Sequence, residues 1–191
     1  MKQFALGLLA LTVCIGFTGC KSVPDADSDK TMFDYMQEEA AKITEKGGMA
    51  AVGIGESRNT QTAIAKAKLE SRKNLAQAVT VKIENLEKAF VEEVGEASSS
   101  EINQLFSSAT KQITSQELQG TVPKMQKYEV NEGITTAYIL MVLNPDLIDA
   151  SLKKNDKNKL YERFRASKAF EELDKEIKEY EEAERQGMLG M

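Results

Sequence analysis

Histidine is absent from this chain of 191 residues. This absence is the feature of the composition that most restricts the possible chemistry. Without histidine there is no Ser-His-Asp triad, no Cys-His pair and no imidazole metal site. The two cysteines, Cys14 and Cys20, both lie near the N-terminus. The acidic residues could in principle supply a carboxylate-only hydrolase. They are spread beside lysines, however, as is typical of a solvated surface. We therefore expect no catalytic residue, no metal site and no cofactor.

A second candidate for chemistry is the segment Gly53-Ile54-Gly55, which follows an apolar run and precedes a helical pattern. In such a setting, glycines can hold a phosphate group at a helix N-terminus. A dinucleotide fingerprint would need a third glycine at position 58, where this sequence has Arg58. Two interpretations stay open. Gly53, Gly55 and Arg58 could bind an anion, or the small residues could let a strand pack closely on a helix.

A third candidate is an apolar stripe in the densely charged C-terminal region. Its residues recur every three or four positions, as on one face of a helix: Ala166, Phe170, Leu173, Ile177 and Tyr180. Such a row can serve as anchors for a partner in helix-in-groove recognition. It can equally pack against the protein's own domain. Both alternatives stay open, with Phe170, Leu173, Ile177 and Tyr180 as the candidate partner-binding residues.

The N-terminus has the pattern of a targeting segment. Lys2 is followed by an uncharged, mostly apolar run over residues 4–17. These 14 residues are too few to cross a hydrocarbon core, which needs roughly 20 in a helix. Residues 1–19 are therefore predicted to be a signal peptide.

The tetrapeptide Phe17-Thr18-Gly19-Cys20 resembles the bacterial lipobox, although Phe17 stands where leucine is usual. The resemblance implies that the signal is cut before Cys20 and that the Cys20 thiol carries the lipid. An uncleaved anchor and an ordinary secretory signal are the alternatives. Removing the signal takes Cys14 and Lys2 with it, so the mature chain keeps one cysteine and a net charge of −6. That acidic balance argues against a nucleic-acid partner and leaves membrane anchoring to acyl chains.

The rest of the chain is predicted to form a tether and one α+β domain. Residues 20–30 are rich in aspartate and serine and should be a flexible tether. Residues 31–155 show a short helix, a strand at 49–54, long helices and a hairpin over 122–143. Residues 156–191 should form a charged C-terminal helix. The expected architecture is an antiparallel or mixed sheet covered by helices.

Thr31 and Asp34 form a capping-box pair at the start of the first helix. Asn59 is among the candidate caps of the long helix after the strand, and Gly95 is its first expected break. That helix has a stripe at helical spacing: Ile64, Ala67, Ser71, Leu75, Ala78, Val79, Leu86 and Phe90. In the hairpin, a three-residue loop should end with Gly133 in the left-handed conformation. Pro123 should lie at the beginning or edge of the first strand, and the apolar run over 134–143 suits a central strand.

Residues 51–79 resemble the signature of the LPP-twenty family of small outer-membrane lipoproteins, to which the flagellar lipoprotein FlgP is related. The resemblance rests on Val52-Gly53-Ile54-Gly55, on a helix rich in alanine, and on the core Ser71-Arg72-Lys73-Asn74-Leu75-Ala76. It implies a small strand-helix-strand-strand domain in the envelope, which in some relatives supports motility or surface assemblies. The matching motifs identify no catalytic residue.

These observations predict a non-enzymatic lipoprotein that is anchored in the cell envelope, in the outer membrane. Its folded domain would bind another envelope component or a second copy of itself. The main alternative is a lipoprotein that captures an anion or small molecule at the turn from Gly53 to Arg58.

Overall fold

The computed structural model describes residues 30–95, 99–118, 121–156 and 159–189. The predicted signal peptide, Cys20 and the predicted tether up to residue 29 lie outside these residues. The described chain is a helical domain around one small sheet, as predicted for the α+β class. Its elements are α1 (Met32–Glu45), β1 (Met49–Ser57), α2 (Thr60–Val94), α3 (Ser99–Gln112) with a π-helical turn (Ile113–Glu117), β2 (Met125–Asn131), β3 (Ile134–Leu143), α4 (Asp146–Asn155), α5 (Leu160–Arg165) and α6 (Lys168–Arg185).

The sheet has three antiparallel strands in the order β1-β3-β2. The central position of β3 agrees with its sequence, which is apolar along almost its whole length and therefore suits burial on both faces. Ile139 and Met141 point into one buried cluster, whereas Leu140 between them belongs to a second cluster. This alternation follows from the two-residue period of a strand and divides the core into two layers.

The hairpin between β2 and β3 is tighter than the predicted three-residue loop. Asn131 pairs with Ile134, so only Glu132 and Gly133 form the turn. Their φ angles are 51° and 76°, the left-handed values that a two-residue hairpin of type I′ requires. The predicted left-handed conformation of Gly133 is confirmed. The first strand of the hairpin begins at Met125 rather than at residue 122.

Helix α2 covers one face of the sheet and is about 52 Å long for its 35 residues. It begins where the Asn59 side chain accepts a hydrogen bond from the Thr62 backbone (3.0 Å), and it ends at Gly95, whose φ is 84°. Seven members of the predicted stripe are buried; Ala78, predicted to be an eighth, is exposed. The buried seven are Ile64, Ala67, Ser71, Leu75, Val79, Leu86 and Phe90.

Helix α1 covers the opposite face of the sheet. The predicted capping box at its start is present: the Thr31 hydroxyl accepts from the Asp34 N–H at 3.2 Å, and the Asp34 carboxylate accepts from the Thr31 N–H at 3.0 Å. The buried side chains of α1 join the second cluster together with residues of the sheet and of the C-terminal end, namely Met36, Ala40, Ile43, Val52, Leu140, Tyr180, Ala183 and Leu189.

The C-terminal segment differs from the single helix predicted for residues 156–191. It forms two helices, α5 and α6, which are separated at Ala166 and Ser167. Ser167 caps α6 by accepting from the Phe170 backbone, and its hydroxyl donates to the Phe164 carbonyl at 2.6 Å. Phe164 and Leu173 are fully buried in the main core. The segment therefore completes the core of the domain that begins at residue 31, and residue 156 marks no structural boundary.

Candidate functional site

The glycines of the predicted anion site lie inside strand β1, where they allow α2 to pack closely. A β-carbon added to Gly53 would stand 2.2 Å from the Ser71 backbone nitrogen, and one added to Gly55 would stand 2.3 Å from the Ala63 carbonyl oxygen. Real contacts are never this short, so only glycine fits at these two positions. The space that an anion would need beside Gly53 and Gly55 is filled by the backbone of α2.

Arg58 does not complete an anion site either. It is exposed in the two-residue connection between β1 and α2. The first turn of α2 is already capped by Asn59, whose side-chain oxygen accepts from the backbone of Thr62. The structure therefore shows the close-packing alternative at Gly53 and Gly55 and gives no support to the anion-binding interpretation with Arg58. The reason is that the strand continues to Ser57, three residues beyond the predicted end, so the glycines sit in a ladder rather than in a loop.

The β1 strand is further tied to α2 by polar side chains. Ser71 donates to the Ala51 carbonyl and Asn74 to the Val52 carbonyl, both at 2.8 Å. Lys66 donates to the Glu56 carbonyl at 2.9 Å. Three backbone acceptors of this strand, which forms one edge of the sheet, are thus satisfied by side chains of α2.

The apolar stripe on the C-terminal helix packs against the protein's own core. Leu173 is fully buried and Tyr180 is 7% exposed, whereas Phe170 and Ile177 are partly buried against the main cluster. Ala166 lies in the turn before the helix and is exposed. The structure therefore places the stripe against α2 and the two buried clusters, which is the packing alternative, and leaves no free row of anchors. The polar side of the helix adds an ion pair, Lys82 to Glu176 at 2.6 Å.

The ionisable groups of the described residues include one strongly perturbed tyrosine. No group of three or more Asp, Glu or Cys side chains in this part of the chain could hold a metal ion. The largest perturbation is at Tyr161, whose hydroxyl donates to Asp149 at 2.8 Å. Burial and this hydrogen bond raise the pKa of Tyr161 to about 12. The phenol is therefore held neutral as a structural donor.

The opposite edge of the sheet is open. Strand β2 is exposed from Gln126 to Asn131. Tyr128 and Val130 are 55% and 57% exposed, although their partners on β3, Ala137 and Thr135, are buried on the same face. Helix α2 covers β1 and β3 but leaves β2 bare. We call the outer side of Met125–Asn131 the β2 edge.

The β2 edge was not among the predicted site residues. The sequence has one signal for it: Pro123 predicts the beginning or edge of a strand, because proline cannot donate to a ladder. In the structure Pro123 precedes β2, which begins at Met125 and lies at the edge of the sheet. It does not predict whether another element covers the edge.

The chain matches no family model, no curated protein and no solved structure in the comparisons made. The resemblance to the LPP-twenty family stays a prediction from the residues that carry it. None of the helices over residues 30–95, 99–118, 121–156 and 159–189 has both the length and the hydropathy needed to span a bilayer.

Proposed function

We propose that this chain is a non-enzymatic lipoprotein of the bacterial envelope, anchored by acyl chains on Cys20 and sorted to the outer membrane. The observation that carries the proposal is the N-terminal segment, in which a basic residue and an apolar run of signal length precede Phe17-Thr18-Gly19-Cys20. A domain with an acidic net charge gains little from anionic lipid headgroups, so the acyl chains would supply the membrane affinity.

The anchor can be tested at Cys20 itself. The mature protein should begin at this residue and carry more than one acyl chain, because a single chain holds a protein only marginally. Mass spectrometry of the purified N-terminal peptide measures both properties. Cys20→Ser should leave an uncleaved or mislocalised precursor, whereas the matched substitution Cys14→Ser should have little effect. An unmodified peptide that starts elsewhere would contradict the proposal.

The domain's role in the proposal is to bind a protein partner, and the β2 edge is the surface that best supports it. An unpaired edge presents backbone donors and acceptors that a further strand can use, while side-chain contacts provide specificity. Tyr128 and Val130 stand beside these groups, and Ile134, 45% exposed, follows the turn. Aromatic side chains at the centre of an interface often carry much of its binding energy.

Placing charge on the β2 edge should abolish partner binding without unfolding the domain. We expect Tyr128→Asp with Val130→Asp to reduce the protein crosslinked to this chain in intact cells by about tenfold or more, the effect of losing one hot-spot contact. Val81→Asp is the matched control, because Val81 on α2 is equally exposed at 55%. Crosslinked partners would be identified by mass spectrometry. Equal capture by the edge variant and the control would show that partners bind elsewhere.

A further inference from the structure

We propose that the β2 edge pairs with the β2 edge of a second copy of this chain. The two strands would run antiparallel about a two-fold axis at Tyr128, joining two three-stranded sheets into one of six strands. This inference names the partner of the surface invoked in the proposed function, and it rests on that proposal. An interface of this kind is isologous, so each residue meets its symmetry counterpart and the strand must complement itself.

The backbone of β2 is available for such pairing. In an antiparallel ladder, alternate residues direct their N–H and C=O groups toward each neighbouring strand. β3 occupies one side of β2, so every second residue of β2 directs both groups to the open side. Proteins commonly protect an open edge by covering it or with charges. Three carbonyls of β1 accept hydrogen bonds from Ser71, Asn74 and Lys66 of α2. No described helix covers β2, and the charges on this strand are Lys127 and Glu129.

Those charges are arranged to attract a second copy. With Tyr128 opposite its counterpart, Lys127 of each strand lies opposite Glu129 of the other. No ion pair found among the described residues uses either of these side chains. Opposite charges directly across a ladder stabilise it, and like charges destabilise it.

The charges also select the register. Moving the two-fold axis by one residue, to Lys127 or to Glu129, places two like charges directly opposite each other. Of these three axes, only the one at Tyr128 places Lys127 opposite Glu129. The same register places the two Tyr128 rings side by side and brings Val130 beside Gln126 of the second copy. The apolar surface that α2 leaves uncovered would thereby be shared between the two copies.

The proposed membrane anchor would favour dimerisation through this small interface. One pair of seven-residue strands buries less surface than a standard protein interface and would associate weakly in dilute solution. Two copies attached to the same membrane are confined to a thin layer, which raises their effective concentration. The dimer is therefore expected on the membrane.

Cysteine crosslinking of the full chain in cells tests the pairing. Tyr128→Cys should give a dimer with a short bismaleimide, because the axis at this residue brings the two thiols together. Val81→Cys, at a position of equal exposure, should give no more dimer than the chain without an added cysteine. Equal dimer yields at the two positions would overturn the proposal. So would a crosslink from Tyr128→Cys only to a different protein, although that result would leave the proposed function standing.

Charge exchange in the Tyr128→Cys background tests the register. Lys127→Glu alone and Glu129→Lys alone should each reduce the dimer yield by about tenfold, since each places like charges across the ladder. The double variant should recover the yield. Co-expressing the two single variants should recover it as well, through mixed dimers. Reduced yields without recovery, or no reduction at all, would overturn the proposed register. Recovery in the double variant would show that neither substitution unfolds the domain, because the double variant carries both.

Discussion

Replacing Phe164 with alanine should lower the free energy of unfolding by about 3–5 kcal/mol, the largest effect expected for a single substitution in this protein. Phe164 is fully buried and lies among three other phenylalanines. Its ring centroid is 5.5 Å from that of Phe90, 5.3 Å from Phe106 and 5.5 Å from Phe170, with interplanar angles of 81° to 90°. Edge-to-face contacts of this kind add about 0.5–1.5 kcal/mol per pair beyond the apolar area that they bury.

Chemical denaturation followed by circular dichroism would measure the effect. Phe164→Leu is the matched control, because it keeps most of the apolar volume and should cost less than the truncation to alanine. Phe164 belongs to the short helix α5, within the segment that the sequence presented as a separate charged helix. A loss below about 1 kcal/mol for the alanine variant would show that this segment is not part of the domain core.

The second large effect on stability is expected at Leu75, near the centre of helix α2. Leu75→Ala should lower the free energy of unfolding by about 2–5 kcal/mol, as for other buried leucines. The truncation leaves a cavity between the helix and the sheet, and the surrounding structure relaxes only partially to fill it. Leu75 is fully buried in the cluster that contains Ile139 and Met141 of β3. Thermal or denaturant unfolding of the purified protein would give the free energy.

Leu69 provides a matched control for Leu75 on the same helix. It is 70% exposed, so Leu69→Ala removes the same atoms but very little buried surface, and we expect a change within about 0.5 kcal/mol. Arg72 is an intermediate case: it is half-buried, and its guanidinium donates to the Thr121 carbonyl at 3.3 Å. Arg72→Ala should therefore cost less than Leu75→Ala. Equal losses for Leu75 and Leu69 would mean that the buried face of α2 has been misassigned.

The interior and the β2 edge have different roles in this view of the molecule. The glycines of β1 and the alanines of α2 allow close packing between this strand and the helix, and the phenylalanine cluster fills the core beside them. The proposed recognition surface lies on the outside, where β2 combines open backbone groups with apolar and charged side chains. The two proposals place the anchor at one end of the chain and the binding surface on a rigid sheet, which suits a lipoprotein that assembles with other molecules on a membrane.

The local structure could be predicted from sequence because its causes are local. The capping pair Thr31 and Asp34, the cap at Asn59 and the end of α2 at Gly95 depend on residues within one helical turn. The buried stripe of α2 follows from a period of 3.6 residues, and the apolar run of β3 identified the central strand. These features sufficed for the α+β class with its sheet covered by helices.

Tertiary structure alone decided which apolar or glycine-containing segment faces solvent and which faces the core. The spacing of the C-terminal stripe is compatible both with a partner's groove and with packing on its own domain. Only the burial of Leu173 and Tyr180 in the structure distinguishes the two alternatives. Gly53 and Gly55 suit a phosphate loop or a close contact until the α2 backbone is seen to fill the space beside them. The exposure of β2 depends on where α2 crosses the sheet. Burial depends on which residues pack against a side chain in space. The spacing of apolar residues within one segment contains no information about elements that are distant in the sequence.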